Sequence, residues 1–170
     1  MTRRVWLSSI ALSSGCGYHV GGKADLLPKS VKTIAVSNFT NLTARYKLPD
    51  RLTTAVTREF ISRTRYQIIP DATQADAVLT GAIVNYTAFP TIFDANTGRA
   101  AGVTVQLVMQ LTLTERATGK VLYTRPNFDI RERYEVSVDQ AQYFEESEQA
   151  LERLSRDVAR SLVSAVLSSF

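Results

Sequence analysis

The chain has one cysteine, one histidine and one tryptophan in 170 residues. A single cysteine excludes an internal disulfide, and one cysteine with one histidine cannot build a four-ligand structural zinc site. An oxidising compartment is therefore tolerated but contributes nothing to stability. No apolar run approaches the roughly 18 residues that a membrane-spanning helix requires. An excess of one charge is also missing: 20 Lys and Arg against 16 Asp and Glu leave a formal +4, too mild to argue for nucleic acid. G-x-S-x-G, the P-loop and G-x-G-x-x-G are all absent. His19 stands among glycines, a poor place to hold a general base. Glu145, Glu146 and Glu148 lack metal-ligand spacing and read as a solvated helix start. Nothing here makes a positive case for an enzyme, and no cofactor or metal is expected.

What is present begins with that one cysteine. Arg3-Arg4, an apolar stretch from Val5 to Leu12, and Ser13-Ser14-Gly15 precede Cys16. This is the order of a signal peptide: basic start, apolar middle, small residues that a peptidase can thread in extended form. Ser13 takes the position where signals that end in a lipidated cysteine usually carry leucine. A thiol left at the new N-terminus can carry a diacylglycerol and further acyl chains such as palmitate, each buried methylene contributing about 0.8 kcal/mol to membrane retention. The expected organisation is a signal over 1–15, a lipidated Cys16 with an extended tether over 16–30, and one domain over 31–170. Without residues 1–15 the formal charge falls to +2.

Hydrophobic residues make up 45% of the chain and charged ones 21%, an ordinary globular balance. Val31 to Asn38 has the β-branched alternation of a first strand, and Asn38 to Asn41 supplies turn residues. Pro49-Asp50 opens a helix over 49–64, with Leu52, Ala55, Val56 and Phe60 on one face. Tyr66 to Ile69 is a short strand and Ala77 to Phe89 a long, central one. From Val103 to Leu113 apolar residues alternate with Thr104, Gln106, Gln110 and Thr112, which predicts an antiparallel strand with one face toward water. A turn at Arg116 to Gly119 leads into a partner strand over 120–125, and Pro126 marks a bulge, an edge or an end. From Asp139 a period of three to four sets in: Tyr143, Ser147, Leu151, Leu154, Val158, Leu162 and Ala165 lie on one face of a helix of about 28 residues. The expected fold is α+β, a two-layer sandwich with two helices on one face of a mostly antiparallel four- to five-stranded sheet.

Phe89 to Gly102 reads as a long connection between two strong strands, with Ile92 and Phe93 outward. Long connections in compact domains are often functional, so these two residues are candidate partner contacts. Arg99 in that connection, with Arg116, Lys120 and Arg125 around the next hairpin, are candidates for holding phosphate oxygens through charge-assisted hydrogen bonds. Arg131 and Arg133 follow in an edge-like segment.

Cys16-Gly17-Tyr18-His19-Val20, then Leu27-Pro28-Lys29-Ser30-Val31-Lys32-Thr33-Ile34-Ala35-Val36 with Phe39 and Asn41, then Leu48 to Phe60 and Tyr66 to Ile69, resemble the LptE family of lipopolysaccharide-assembly lipoproteins. The resemblance implies two helices packed on one face of a sheet. It also implies a non-enzymatic lipoprotein at the periplasmic face of the outer membrane that plugs the LptD barrel and helps it deliver lipopolysaccharide to the cell surface. Under it, Ile92 and Phe93 become candidate barrel contacts, and Arg99, Arg116, Lys120 and Arg125 candidate lipopolysaccharide contacts. Gly17 lacks the Asp that retains many lipoproteins in the inner membrane, consistent with outer-membrane sorting. The pattern Ile34-Ala35-Val36-Ser37-Asn38-Phe39 is also similar to the first strand of small α+β domains of the TolB and CsgG types. A periplasmic lipoprotein adaptor of another envelope system is therefore the alternative.

Overall fold

A computed structural model describes residues 27–96, 98, 100–135 and 140–170, with side chains from residue 149 onward in the last segment. The signal, Cys16, His19 and Arg99 lie outside the described residues. In chain order the elements are β1 (Thr33–Val36), β2 (Thr40–Asn41), α1 (Leu48–Arg63), β3 (Gln67–Ile68), β4 (Ala77–Phe93), β5 (Ala100–Glu115), β6 (Val121–Glu135) and α2 (Gln140–Leu167). The sheet runs β3-β1-β4-β5-β6, and β2 pairs with β4 beyond the end of β1. The long strands β4, β5 and β6 are antiparallel, whereas β1, β2 and β3 pair in parallel.

Two helices on one face of this sheet is the expected sandwich. β5 shows why: Val105, Leu107, Met109, Leu111 and Leu113 are buried, while Thr104, Gln106, Gln110, Thr112 and Thr114 point to the uncovered side. Leu48, Leu52, Val56 and Phe60 of α1 and Leu154, Val158, Leu162 and Val166 of α2 close the core over them. The helices lie side by side and run parallel. Arg51 meets Glu152 at 3.6 Å, and Arg63 Nη1 donates to Ser164 Oγ at 2.7 Å.

Three local readings need correction or completion. Thr40–Asn41, read as part of a turn, is a two-residue parallel strand on Ala82 and Ile83. The connection from Phe89 to Gly102 is mostly strand: β4 runs on to Phe93 and β5 starts at Ala100, leaving a short tip between them. Pro126 lies on an edge strand and in a bulge, where Pro126 and Asn127 fall between the pairs Leu111↔Arg125 and Met109↔Phe128. Its missing N–H costs nothing there, so β6 continues to Glu135. A second bulge, at Val84, resets the alternation, so that Ile83 and then Tyr86 face the helices while Asn85 and Thr87 face outward.

Candidate functional site

The three long strands carry functional candidates at opposite ends. Fifteen or so residues of strand separate the Ala77↔Glu115 pair from the Phe93↔Ala100 pair, a span of about 50 Å.

At the first end, the β5–β6 turn closes with Glu115 N donating to Lys120 O at 2.8 Å and Gly119 at φ 69°, a conformation that glycine reaches without strain. Asp76, just before β4, ties this end to β1. Its Oδ2 accepts from Lys32 N (3.0 Å), Thr33 N (2.9 Å) and Thr33 Oγ1 (2.9 Å). Those backbone donors, with the Arg116 guanidinium nearby, hold its carboxyl below the usual range. Arg116 is engaged in the same joint: its Nε donates to Ala75 O at 2.7 Å and its N–H to Asp76 O. Lys120 is exposed, beside Glu115, whose carboxyl is lowered by hydrogen bonds from Ser30 and Thr118.

Arg125 stands part-way along β6, exposed, with its guanidinium 5.1 Å from the Phe128 ring centroid. Arg116 and Lys120 thus share one end of the sheet and Arg125 lies inward from them, while Arg99 falls outside the described residues. The three that are described, Arg116, Lys120 and Arg125, do not form one cluster.

At the far end Phe89, Ile92 and Phe93 are all exposed, Phe93 by 61%. Ile92 lies across Gly102 in the register of β5, so close that a Cβ on Gly102 would sit 3.1 Å from it. The uncovered face of the sheet connects the two ends. Its rows read Thr80–Thr112–Thr124, Asn85–Val108–Asp129, Thr87–Gln106–Arg131 and Phe89–Thr104–Arg133. Gln106 Nε2 donates to both Asp129 oxygens (3.1 and 2.9 Å), and Arg131 meets the same carboxylate at 3.6 Å. Arg131 and Arg133 therefore belong to this face, as exposed cations on a polar ladder.

Sequence reasoning missed two further features. One is a groove of about 400 Å³ between the outward sides of α1 and α2, lined by Arg51, Arg58 and Arg156 with Asp50, Glu59 and Glu152. The other is the exposed pair Leu42 and Tyr46 before α1. Only the apolar character of Leu42 and Tyr46 in an otherwise polar loop could have signalled the latter. Among the described residues, no three His, Cys, Asp or Glu side chains gather as metal ligands, and no helix is long and apolar enough to cross a membrane.

Solved structures share this fold at low identity. PelC of Paraburkholderia phytofirmans, crystallised as a dodecamer, superposes with a TM-score of 0.56 at 12% identity, over 86% of this chain and 93% of that one. The hypothetical protein CT253 of Chlamydia trachomatis gives 0.55 at 12%, over 82% and 97%. An uncharacterized lipoprotein B from Nitrosomonas europaea gives 0.51 at 13%, over 83% and 81%. No curated protein sequence matches. The family model described as LptE, lipopolysaccharide-assembly, matches residues 31–166, from the strand that enters the sheet to the last turns of α2. With that match spanning both helices and all six strands, the chain belongs to the LptE family.

Proposed function

We propose that this member of a lipopolysaccharide-assembly family works at the periplasmic face of the outer membrane, anchored through acylated Cys16, as the plug of an LptD-type barrel. The observation that carries the plug is the uncovered sheet face with its long hairpin. A polar ladder from Thr80 to Arg133 runs the length of three strands with no covering layer among the described residues, and ends in exposed Phe89, Ile92 and Phe93. A wide polar lumen leaks unless filled, and a rigid sandwich presenting Thr, Gln, Asn and Arg side chains can fill it without exposing its core. The family role is binding and positioning, with no reaction catalysed.

Under this reading Ile92 and Phe93 contact the barrel wall, and lipopolysaccharide phosphates meet basic side chains, for which exposed Lys120 and Arg125 are candidates together with Arg99, which lies outside the described residues. Arg116 is a weaker one, because it is committed to Ala75 and its replacement would disturb the joint.

The test is a mild-detergent pull-down from native membranes, with mass spectrometry of the partners and of the N-terminal peptide. Recovery of a large barrel with acylated Cys16 is expected, as is its loss on Ile92→Asp with Phe93→Asp while the thermal unfolding of the domain stays unchanged. An acylated chain that brings down no barrel would instead favour the adaptor reading. An unmodified Cys16 would remove the anchor.

A further inference from the structure

The turn between β2 and α1 carries two apolar side chains that the fold holds out of its core: Leu42 is 66% exposed and Tyr46 78%, although Leu48 just beyond is wholly buried. This exposure is constructed. Leu42 N donates to Ile83 O at 2.9 Å, fastening the turn to β4. Asn41 Oδ1 accepts from Thr43 N and Oγ1, Asn41 Nδ2 donates to Arg45 O, and Arg45 N donates to Thr43 Oγ1. Leu48 N then donates to Arg45 O at 3.1 Å. A turn so held presents Leu42 and Tyr46 without having to be ordered on binding, which removes one of the usual entropic penalties of association.

The charges around it choose the partner. Arg45 and Lys47, both exposed, flank Tyr46, and no carboxylate lies between Leu42 and Pro49. The Arg45 guanidinium stands 5.0 Å from the Tyr86 ring centroid and the Lys47 ammonium 5.8 Å from that of Tyr46, so each cation travels with an aromatic ring. The other exposed apolar group, Phe89, Ile92 and Phe93, differs in kind. No cation lies in its own segment between Val84 and Asn96, where Asp94 adjoins Phe93, and Arg133 stands two strands away in the row of Phe89. Leucine, tyrosine and two cations in six residues are the composition of a lipid interface. The aliphatic chain enters the acyl boundary, the amphipathic ring sits at headgroup level, and the cations meet phosphate while their stems stay in apolar surroundings.

We propose that the Leu42–Lys47 turn is a second, reversible membrane contact, selective for anionic lipid, with Leu42 and Tyr46 entering the headgroup boundary and Arg45 and Lys47 facing lipid phosphates. It does not depend on acylation of Cys16.

The experiment uses the mature chain from residue 16 with Cys16→Ser, which cannot be acylated and, without the signal and its Trp6, leaves Tyr46→Trp as the only indole. With vesicles containing phosphatidylglycerol, a blue-shifted emission quenched by brominated acyl chains is expected, and much weaker effects with phosphatidylcholine alone. Leu42→Asp should lower the partition coefficient about tenfold. Arg45→Gln and Lys47→Gln should each lower it about fivefold, and added salt should act in the same direction. All three side chains are exposed, so unchanged thermal unfolding controls for folding. An unshifted emission would overturn the proposal, as would quenching that survives Leu42→Asp or binding indifferent to lipid charge. So would a photocrosslinker at position 46 that captures a barrel protein in native membranes and no lipid.

Discussion

The two ends of β4 belong to one strand and one register, yet they do different work. At its start Ala77, Leu79 and Ile83 are fully buried, with β1 and β2 on one side, β5 on the other and the helices above. At its end Phe89, Ile92 and Phe93 have β5 alone beside them and stand open. The first end holds the molecule together; the second is spare surface that the fold can give to a partner. Removing a side chain should therefore have opposite consequences at the two ends. Leu79→Ala is expected to cost about 2–5 kcal/mol of stability, through lost burial and the cavity left behind. Phe93→Ala should stay within about 0.5 kcal/mol and register only in partner binding. Chemical denaturation of both variants checks the pair, and comparable losses would erase the contrast.

The glycines sharpen the same contrast at smaller scale. A Cβ on Gly81 would meet Gln110 O at 2.8 Å, Phe39 Cδ1 at 2.9 Å and Leu111 Cδ2 at 3.0 Å, two of them from buried neighbours and one from the backbone. Gly81→Ala should cost about 1–3 kcal/mol because nothing there can yield. On Gly102 the three atoms nearest the Cβ all belong to the side chain of Ile92, which is exposed and can rotate away. Gly102→Ala is expected to be near neutral in thermal unfolding while shifting the position of Ile92, and with it partner affinity.

The unequal ends also explain what could be read from the amino-acid order. Val103 to Leu113 is half-covered, so its alternation displays both faces of the sheet, and the stripe of α1 from Leu52 to Phe60 is as plain. Where the chain lies over no core, pattern fails. Pro90, Gly98 and Gly102 look like loop, but pairing with β5 carries β4 through Pro90 and on to Phe93. Thr40–Asn41 is strand only because Ala82 and Ile83 lie beside it, which no local signal contains. Only charge and loop position single out the basic candidates. Charge does not distinguish Arg116, engaged with Ala75, from exposed Lys120, nor reveal that both are a sheet's length from the Ile92 hairpin.

At the buried end the Asp76 joint should show as a pH effect. Three donors from Lys32 and Thr33 favour its ionised form, so the folded state lowers its pKa below 3.8. A lowered carboxyl contributes stability that is present above 3.8 and lost as pH falls through the folded value. Asp76→Asn should therefore cost about 1–2 kcal/mol at neutral pH, the scale of hydrogen bonds to a charged group. The difference from the parent should shrink in melts taken at progressively more acid pH.

Toward the open end the sign reverses. Glu132 sits on edge strand β6 opposite Val105, on the side that α2 covers, and burial followed by the proximity of Asp157 raises its pKa above 4.5. Tyr134, two residues on, has its hydroxyl buried without a hydrogen-bond partner among the described residues, and Arg153 lies over its ring at 5.9 Å. A carboxyl raised on folding is best tolerated while protonated. Its effect favours the fold below 4.5 and is lost as pH rises through the folded value. Glu132→Gln removes that penalty, so the variant should melt slightly higher than the parent at neutral pH and together with it in acid. An inward charge on an exposed edge also discourages a foreign strand from pairing there. The same substitution should therefore make the chain more prone to self-associate on heating, visible as light scattering. Higher melting without added scattering would leave Glu132 as a plain electrostatic burden, whereas both together would mark it as a residue kept for what it prevents.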